Sequence, residues 1–227
     1  MDVQAAAGDA GRMSRTLHFH PLSSFCWKVL IALYEADLAF EANVVDLGDP
    51  AQRAAFQAIW PLGKFPVLSE AGRVTPESTI IIEHLAQLHP AAARLLPDDP
   101  DLALRTRLLD RLFDNYIHAP MQSVVAERLR PKGRRDPFGA ESARSAIRQG
   151  YDVLAPMIAG PWAIGEAFTL ADCAALPALH YADFALPLAD WPALTAYLDR
   201  LRSRPSVARV LREAQPYFHF FPLAKDR

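Results

Sequence analysis

The sequence predicts two unlike domains in series: an α/β unit of order β-α-β-α-β-β-α over residues 16–90, then an all-helical unit over 102–227. Three observations predict this. Short alternating or β-branched runs, bounded by Gly, Pro and Asp, are confined to the first ninety residues. Residues 91–101 are proline-rich and read as a linker. Everything beyond repeats apolar residues at helical spacing. Residues 1–15, rich in Ala, Gly, Asp and Arg, have no apolar h-region, so they do not read as a secretory signal. They read as a disordered extension, within which Met13 is an alternative start to Met1.

Thr16-Leu17-His18-Phe19-His20 alternates like a first strand, and Pro21-Leu22-Ser23-Ser24 turns into a helix with Val29, Leu30, Leu33 and Tyr34 on its apolar face. Phe40 to Val45 reads as a second strand, and Asp49-Pro50 caps a short helix that runs to Trp60. Phe65 to Leu68 is a third strand. Proline cannot donate to a ladder, so Pro66 must stand at its first residue or at an edge. Glu70-Ala71-Gly72-Arg73 reads as a tight turn with Gly72 supplying the positive φ, and Val74 starts the return strand. Thr75-Pro76-Glu77-Ser78 is a helix entry ahead of Ile80, Ile81, Ile82, Leu85 and Leu88. A parallel first pair followed by an antiparallel hairpin is the thioredoxin-like order.

In the second half, Leu108, Leu109, Leu112, Phe113, Tyr116 and Ile117 mark a long helix, which Pro120 must kink or end. A second helix is expected from Gly139 to Ile158. Thr169-Leu170-Ala171-Asp172 is a capping box with Asp in the Glu position and Phe168 set for the hydrophobic staple, which gives Asp172 a structural task. Shorter helices follow Trp191-Pro192 and Arg204-Pro205, and the tail from Tyr217 to Pro222 is too aromatic to be left in water.

Composition excludes more than it selects. A formal charge of -2 gives no general reason to expect nucleic acid or an anionic membrane as partner. The basic run Arg128, Arg130, Lys132, Arg134 and Arg135 reads as a solvated helix C-terminus, with no aromatic residue interleaved. No apolar run approaches the roughly 20 residues that span a bilayer. Two cysteines argue against a disulfide framework and for a reducing, cytoplasmic setting. The seven histidines show no metal-ligand spacing, so no metal is expected.

The chemistry concentrates at two helix entries. A proline-led hairpin delivers Glu77 and Ser78 to a helix N-terminus, whose free N–H groups and dipole suit an anion. Ser23 and Ser24 open the first helix, directly after the first strand. A thiol with a pKa near 8.5 is only a few per cent ionised at pH 7; lowering it by about two units takes about 2.7 kcal/mol. A hydroxyl donor at a helix N-terminus can supply that preference, although serine there is also an ordinary N-cap. Cys26, in the second position of Ser-x-x-Cys, is expected to face inward rather than act as a nucleophile.

Lys64-Phe65-Pro66-Val67-Leu68, the hairpin and Glu77-Ser78, with Ser23 to Val29 upstream and Phe168 to Asp172 downstream, resemble the cytosolic glutathione transferases from about Thr16 to the tail. The resemblance implies glutathione as co-substrate, a cis bond before Pro66, and Phe65 pairing its backbone with the cysteinyl part. Glu77 and Ser78 would hold the γ-glutamyl group, and Lys64 and Lys28 either assist or are solvated surface lysines. The Ser-x-x-x-x-basic-Val pattern points to a serine-type member with Ser23 as thiolate activator and Ser24 as its substitute. The second substrate is then a small hydrophobic electrophile over the Ser23 turn, with Tyr116 and the aromatic tail either lining its pocket or belonging to the core. Such proteins are usually homodimers. Two rival functions stay open. One is a glutathione-dependent isomerase of the maleylacetoacetate type, whose members carry cysteine where Phe25 stands; the other is a non-catalytic binding or regulatory protein on the same fold.

Overall fold

Strands β1 (Arg15–Phe19), β2 (Glu41–Val44), β3 (Val67–Glu70) and β4 (Arg73–Pro76) form one sheet in the order β2-β1-β3-β4. The structure, a computed structural model, describes residues 15–224. The extension expected over 1–15 lies outside that range except for Arg15, which opens β1. β2 runs parallel to β1, while β3 and β4 form the antiparallel hairpin. Helix α1 (Ser24–Glu35) follows β1, α2 (Pro50–Ile59) follows β2 and α3 (Ser78–Leu88) follows β4, which completes the expected thioredoxin-like order. Pro66 stands one residue before β3, where no ladder donor is needed. Ala71 (φ 51°) shares with Gly72 (φ 76°) the left-handed backbone that the sequence assigns to Gly72 alone, the geometry of a two-residue I′ hairpin.

Helix α1 has no solvent face over Cys26 to Leu33, all buried. A helix that is apolar all round belongs inside, and α1 packs on α3, on α8 (Leu170–Ala185) and on α10 (Pro205–Ala214). One continuous apolar cluster runs from Leu17 and Leu68 in the sheet through α1 to Leu109, Phe113 and Leu176 in the helical half. The stretch expected as a linker is docked, not free. It contains most of a short helix α4 (Pro90–Ala93), and Leu95 is buried and accepts the Leu170 N–H at 2.8 Å.

Pro120 neither ends nor simply kinks the long helix. Helix α5 (Pro100–Leu112) passes into a π-helical turn, Phe113–His118, and continues as α6 (Ala119–Leu129). Proline has no N–H to give and its ring would meet the carbonyl four residues back, that of Tyr116. The π turn resolves this by shifting the register, so that the Ala119 N–H reaches the Asp114 carbonyl. The displaced Tyr116 carbonyl lies against Gly150 of α7 (Pro137–Leu154), the helix expected to begin at Gly139. Helix α9 (Pro192–Ser203) and α10 start at their prolines as expected, and a 3-10 turn over Gln215–Phe220 carries the tail. Asp172 closes its capping box and also accepts from the Ala163 N–H (2.8 Å) and Tyr197 Oη (2.6 Å). Burial pushes its carboxyl up, against the pull of these hydrogen bonds. Its task is structural.

Lys28 corrects the expectation of a solvated surface lysine: it is fully buried, with its ammonium engaged inside the protein. Its ammonium pairs with Asp110 of α5 and with Asp114 (2.8 Å) and donates to Thr79 Oγ1 of α3 (2.8 Å). Arg111 covers the two carboxylates from the solvent side. Burial raises the Asp114 carboxyl, opposed by Lys28 and Arg111 and reinforced by Asp110.

Two stability predictions follow from this packing. A Cβ at Gly150 would come within 2.6 Å of the Tyr116 oxygen and 2.5 Å of Ile117 Cδ1. Gly150→Ala therefore lowers the urea unfolding free energy by about 2 kcal/mol, the usual range for overpacking. Lys28→Met removes the buried cation that two carboxylates share, leaves them to Arg111 alone and costs about 3 kcal/mol at pH 7.5. The Asp114 carboxyl is already raised in the folded state, so protonation favours that state and relieves the penalty as pH falls through the folded value. Removing Lys28 raises it further, so the deficit in urea titrations shrinks between pH 7.5 and 5.

Candidate active site

The sheet register gathers the residues of interest at one end. Val67 lies opposite His18 and Pro76 opposite Val67. The exit of β1, the entry of β3 and the exit of β4 are therefore neighbours. The β1–α1 turn with Ser23, the Phe65-Pro66 bend and the Glu77-Ser78 step all stand at that edge. The end of β2 joins them, because Val44 lies opposite Phe19.

Ser23 is the N-cap of α1 (φ -77°, ψ 118°), half-buried, and its side chain makes no capping hydrogen bond. Its backbone is fixed: the N–H donates to the His20 carbonyl (2.9 Å) and the carbonyl accepts from Cys26 and Trp27 (3.0 and 3.1 Å). The helical half holds the same turn, through Tyr181 Oη donating to the Leu22 carbonyl (2.8 Å). Ser24 faces inward. It is buried and hydrogen-bonded to His118 Nε2 of the π turn (2.5 Å). Burial, with Lys28 adding, pushes His118 down to about 3, so its ring is neutral. Cys26 is fully buried, and burial pushes its thiol up to about 12 despite hydrogen bonding with Ser23 and the His20 backbone. It faces inward, as expected.

The Phe65-Pro66 peptide is cis, as the resemblance implies. Pro66 is buried and Phe65 half-buried, its ring 6.2 Å from His20. The tail arrives from the other side, with Tyr217 edge-on to His20 at 5.3 Å. Burial lowers the His20 imidazole, opposed by Asp46. His20, Asp46, Gln52, Tyr217 and Phe220 line a cavity of about 590 Å³ beside the turn.

Glu77 carries φ 70° and ψ 119° as the N-cap of α3. A non-glycine residue in that region costs of order 1–3 kcal/mol, and such strain clusters at binding sites. Its side chain is exposed, makes no capping bond and lines a second cavity of about 540 Å³, with Ser78, Phe25, Arg107 and Arg111. Ser78 is buried at the first helical position. Lys64 is exposed. Tyr116 does not belong to the core: its side chain is 58% exposed, because the π turn rolls Phe113 and Ile117 inward instead. Sequence reading missed His118, Asp110 and Asp114, although their spacing of four was visible on one helix. A further cavity of about 690 Å³, lined by Tyr34, Phe40, Arg209 and Glu213, adjoins the site through Phe19, Pro21 and Tyr217. Among the described residues no His, Cys, Asp and Glu group could hold a metal, and no helix is long and apolar enough to cross a membrane.

Known proteins carry the same two-part arrangement. The family model described as glutathione S-transferase, N-terminal domain, matches residues 17–93, and that for the C-terminal domain matches 122–200. A probable maleylacetoacetate isomerase of Caenorhabditis elegans is 29% identical, over 86% of this chain and 91% of that protein. The uncharacterized GST-like protein YibF of Escherichia coli is 32% identical, over 83% and 94%. Among solved structures, a glutathione S-transferase of Methylobacterium radiotolerans in complex with glutathione sulfonate is 33% identical with a TM-score of 0.76, covering 87% of this chain and 94% of that one. The strand order, the cis bond before Pro66, both domain matches and a 32% identical relative spanning most of the chain lead to one conclusion: the chain belongs to the glutathione transferase family, whose enzymes take glutathione as co-substrate.

Proposed function

We propose that this glutathione transferase activates the thiol of bound glutathione through the Ser23 hydroxyl, for attack on a small hydrophobic electrophile. The observation that carries the reading is the division of labour between adjacent serines. The Ser23 side chain is not used for capping and belongs to a half-buried residue whose hydroxyl is shared with the Cys26 thiol, whereas Ser24 is spent on His118. In the proposed pose Glu77 and Ser78 take the γ-glutamyl end, where the α3 N–H groups and dipole favour its carboxylate. The Phe65 backbone pairs with the cysteinyl residue, and the exposed Lys64 adds positive charge. The Ser23 O–H then donates to the thiolate, the thiol proton leaves to solvent, and sulfur forms a bond to the electrophilic carbon. The leaving group departs to solvent with the bonding pair or, at an activated double bond, the π pair shifts to the neighbouring atom and is protonated by solvent. A charge-assisted hydrogen bond together with the first-turn N–H groups is enough for the roughly two-unit shift the chemistry needs.

The electrophile is proposed to enter over the turn, where Phe25 and the tail supply apolar surface. An isomerase relative supports a second outcome, turnover of a cis-dienone acid without net loss of glutathione. A homodimer is proposed through Val74, Ile80, Leu104 and Leu108, apolar side chains that β4, α3 and α5 leave exposed. Two free cysteines support a reducing, cytoplasmic location.

Two measurements test the site. Following the ultraviolet thiolate band of bound glutathione against pH, the wild type shows a depressed thiol pKa, and Ser23→Ala returns it to within half a unit of the free value, with kcat/KM for a model electrophile down about 100-fold. Binding with an unshifted thiol in the wild type overturns activation and favours a binding protein. Glu77→Gly relieves the positive-φ strain, so the protein melts higher by about 1 kcal/mol of stability while its glutathione Kd rises at least tenfold. Unchanged affinity would remove Glu77 from the binding site.

A further inference from the structure

Ser24 and His118 form a buried polar pair across the seam between the two halves, and no step proposed above uses it. Ser24 is the first residue of α1, and His118 the last residue of the π turn. The bond joins residues 94 apart in sequence, and both side chains are enclosed. Phe25 lays its ring on His118 at a centroid distance of 4.0 Å, so two successive residues of the first α1 turn rest on one imidazole. One turn along, Lys28 reaches Asp114, so His118 and Asp114, four apart, meet Ser24 and Lys28, also four apart.

Helix ends are the least constrained part of a helix, since the first four N–H groups have no partner within it. The proposed activator sits at such an end, and its reach must hold to within a fraction of an ångström; a 1 Å misplacement can cost about 100-fold. The Ser23 side chain does not brace itself by capping. The external grip on this turn comes from the helical half: Tyr181 on the Leu22 carbonyl, and His118 beneath Ser24 and Phe25.

We propose that His118, acting through Ser24, is a positioning residue for thiol activation: the π turn of the helical domain sets the orientation of the catalytic turn of the glutathione-binding domain. The π turn is where the two halves meet. It inserts a register shift just before Pro120 and carries His118 at its end, against Ser24 and Phe25. Such turns are frequent at functional sites. The neutral ring suits the task, because Lys28 lies nearby and a second buried cation there would be repelled. Asp114, which neutralises Lys28, faces the same stretch of α1.

The inference rests on Ser23 being the activator, and the test separates the two. Ser24→Ala, His118→Ala, His118→Gln and the Ser24→Ala/His118→Ala pair are compared with wild type on three readouts: the thiol pKa of bound glutathione, kcat/KM with a model electrophile, and amide hydrogen exchange over residues 22–28. Each alanine variant is expected to raise the thiol pKa part of the way to the free value and lower kcat/KM about tenfold, with glutathione Kd within threefold of wild type. The double variant is expected to be no worse than either single one, and amide exchange rises over residues 22–28. His118→Gln, whose Nε2 replaces that of histidine, restores most of the activity. Ser24→Ala removes one hydroxyl only and keeps the test open should His118→Ala not fold. Unchanged thiol pKa and exchange in both single variants, or additive losses in the double one, overturn the proposal. A wild type with no thiol shift sinks the Ser23 reading instead, and the exchange rates then still report whether His118 holds the turn.

Discussion

The structure depends on one buried cation. Lys28 has no water to return to, and its ammonium is shared among Asp110, Asp114 and Thr79. A buried ion pair is weak evidence of net stability, because desolvation offsets most of the attraction. Its value lies in specification: a lysine stranded without those carboxylates costs far more than any apolar alternative, so few arrangements of α1 on α5 are tolerable. The cluster's four members come from α1, α3, α5 and the π turn that continues α5. Thr79 follows Ser78 directly, so the constraint that seats the helical half also seats the α3 entry.

Around that fixed point the site is assembled by register. Antiparallel pairing of β3 with both β1 and β4 puts three chain reversals at one sheet edge. Two are pinned by unusual backbone, the cis bond before Pro66 and the positive φ at Glu77. The third, at Ser23, has ordinary backbone angles and is held from outside. That difference makes the placement of the Ser23 turn depend on the helical half.

What the sequence revealed follows from how local each signal is. The hairpin, the Asp49-Pro50 cap and the Thr169–Asp172 box declare themselves within a few residues, and all appear where expected. Lys28 does not, because a lysine's burial is decided by residues more than eighty positions away. The same holds for His118, since nothing near Pro120 says which ring a π turn will aim inward. The sequence left Tyr116 open between core and pocket, and the 91–101 stretch misled for a related reason. Periodicity assumed an unbroken α-helix past Leu112, and proline content was read as separation although Leu95 is buried. The candidate ligand residues were legible through motif order, while their supports were not.

Adjacent serines on one turn also show why position, more than residue type, decides chemistry here. An N-cap residue has extended backbone and lies outside the helical rotation, so its side chain can look past the helix end toward a ligand. The next residue is the first to adopt helical angles, and at α1 that commits its side chain to the flank facing α5 and the π turn. Ser23 and Ser24 have the same hydroxyl, yet one belongs to a half-buried N-cap beside the Cys26 thiol and the other meets a buried imidazole. Exchanging their roles would require turning α1 about its axis, which Lys28 forbids by its grip on Asp110 and Asp114. The ion pair that orients the helix thereby also selects which serine meets the His118 imidazole.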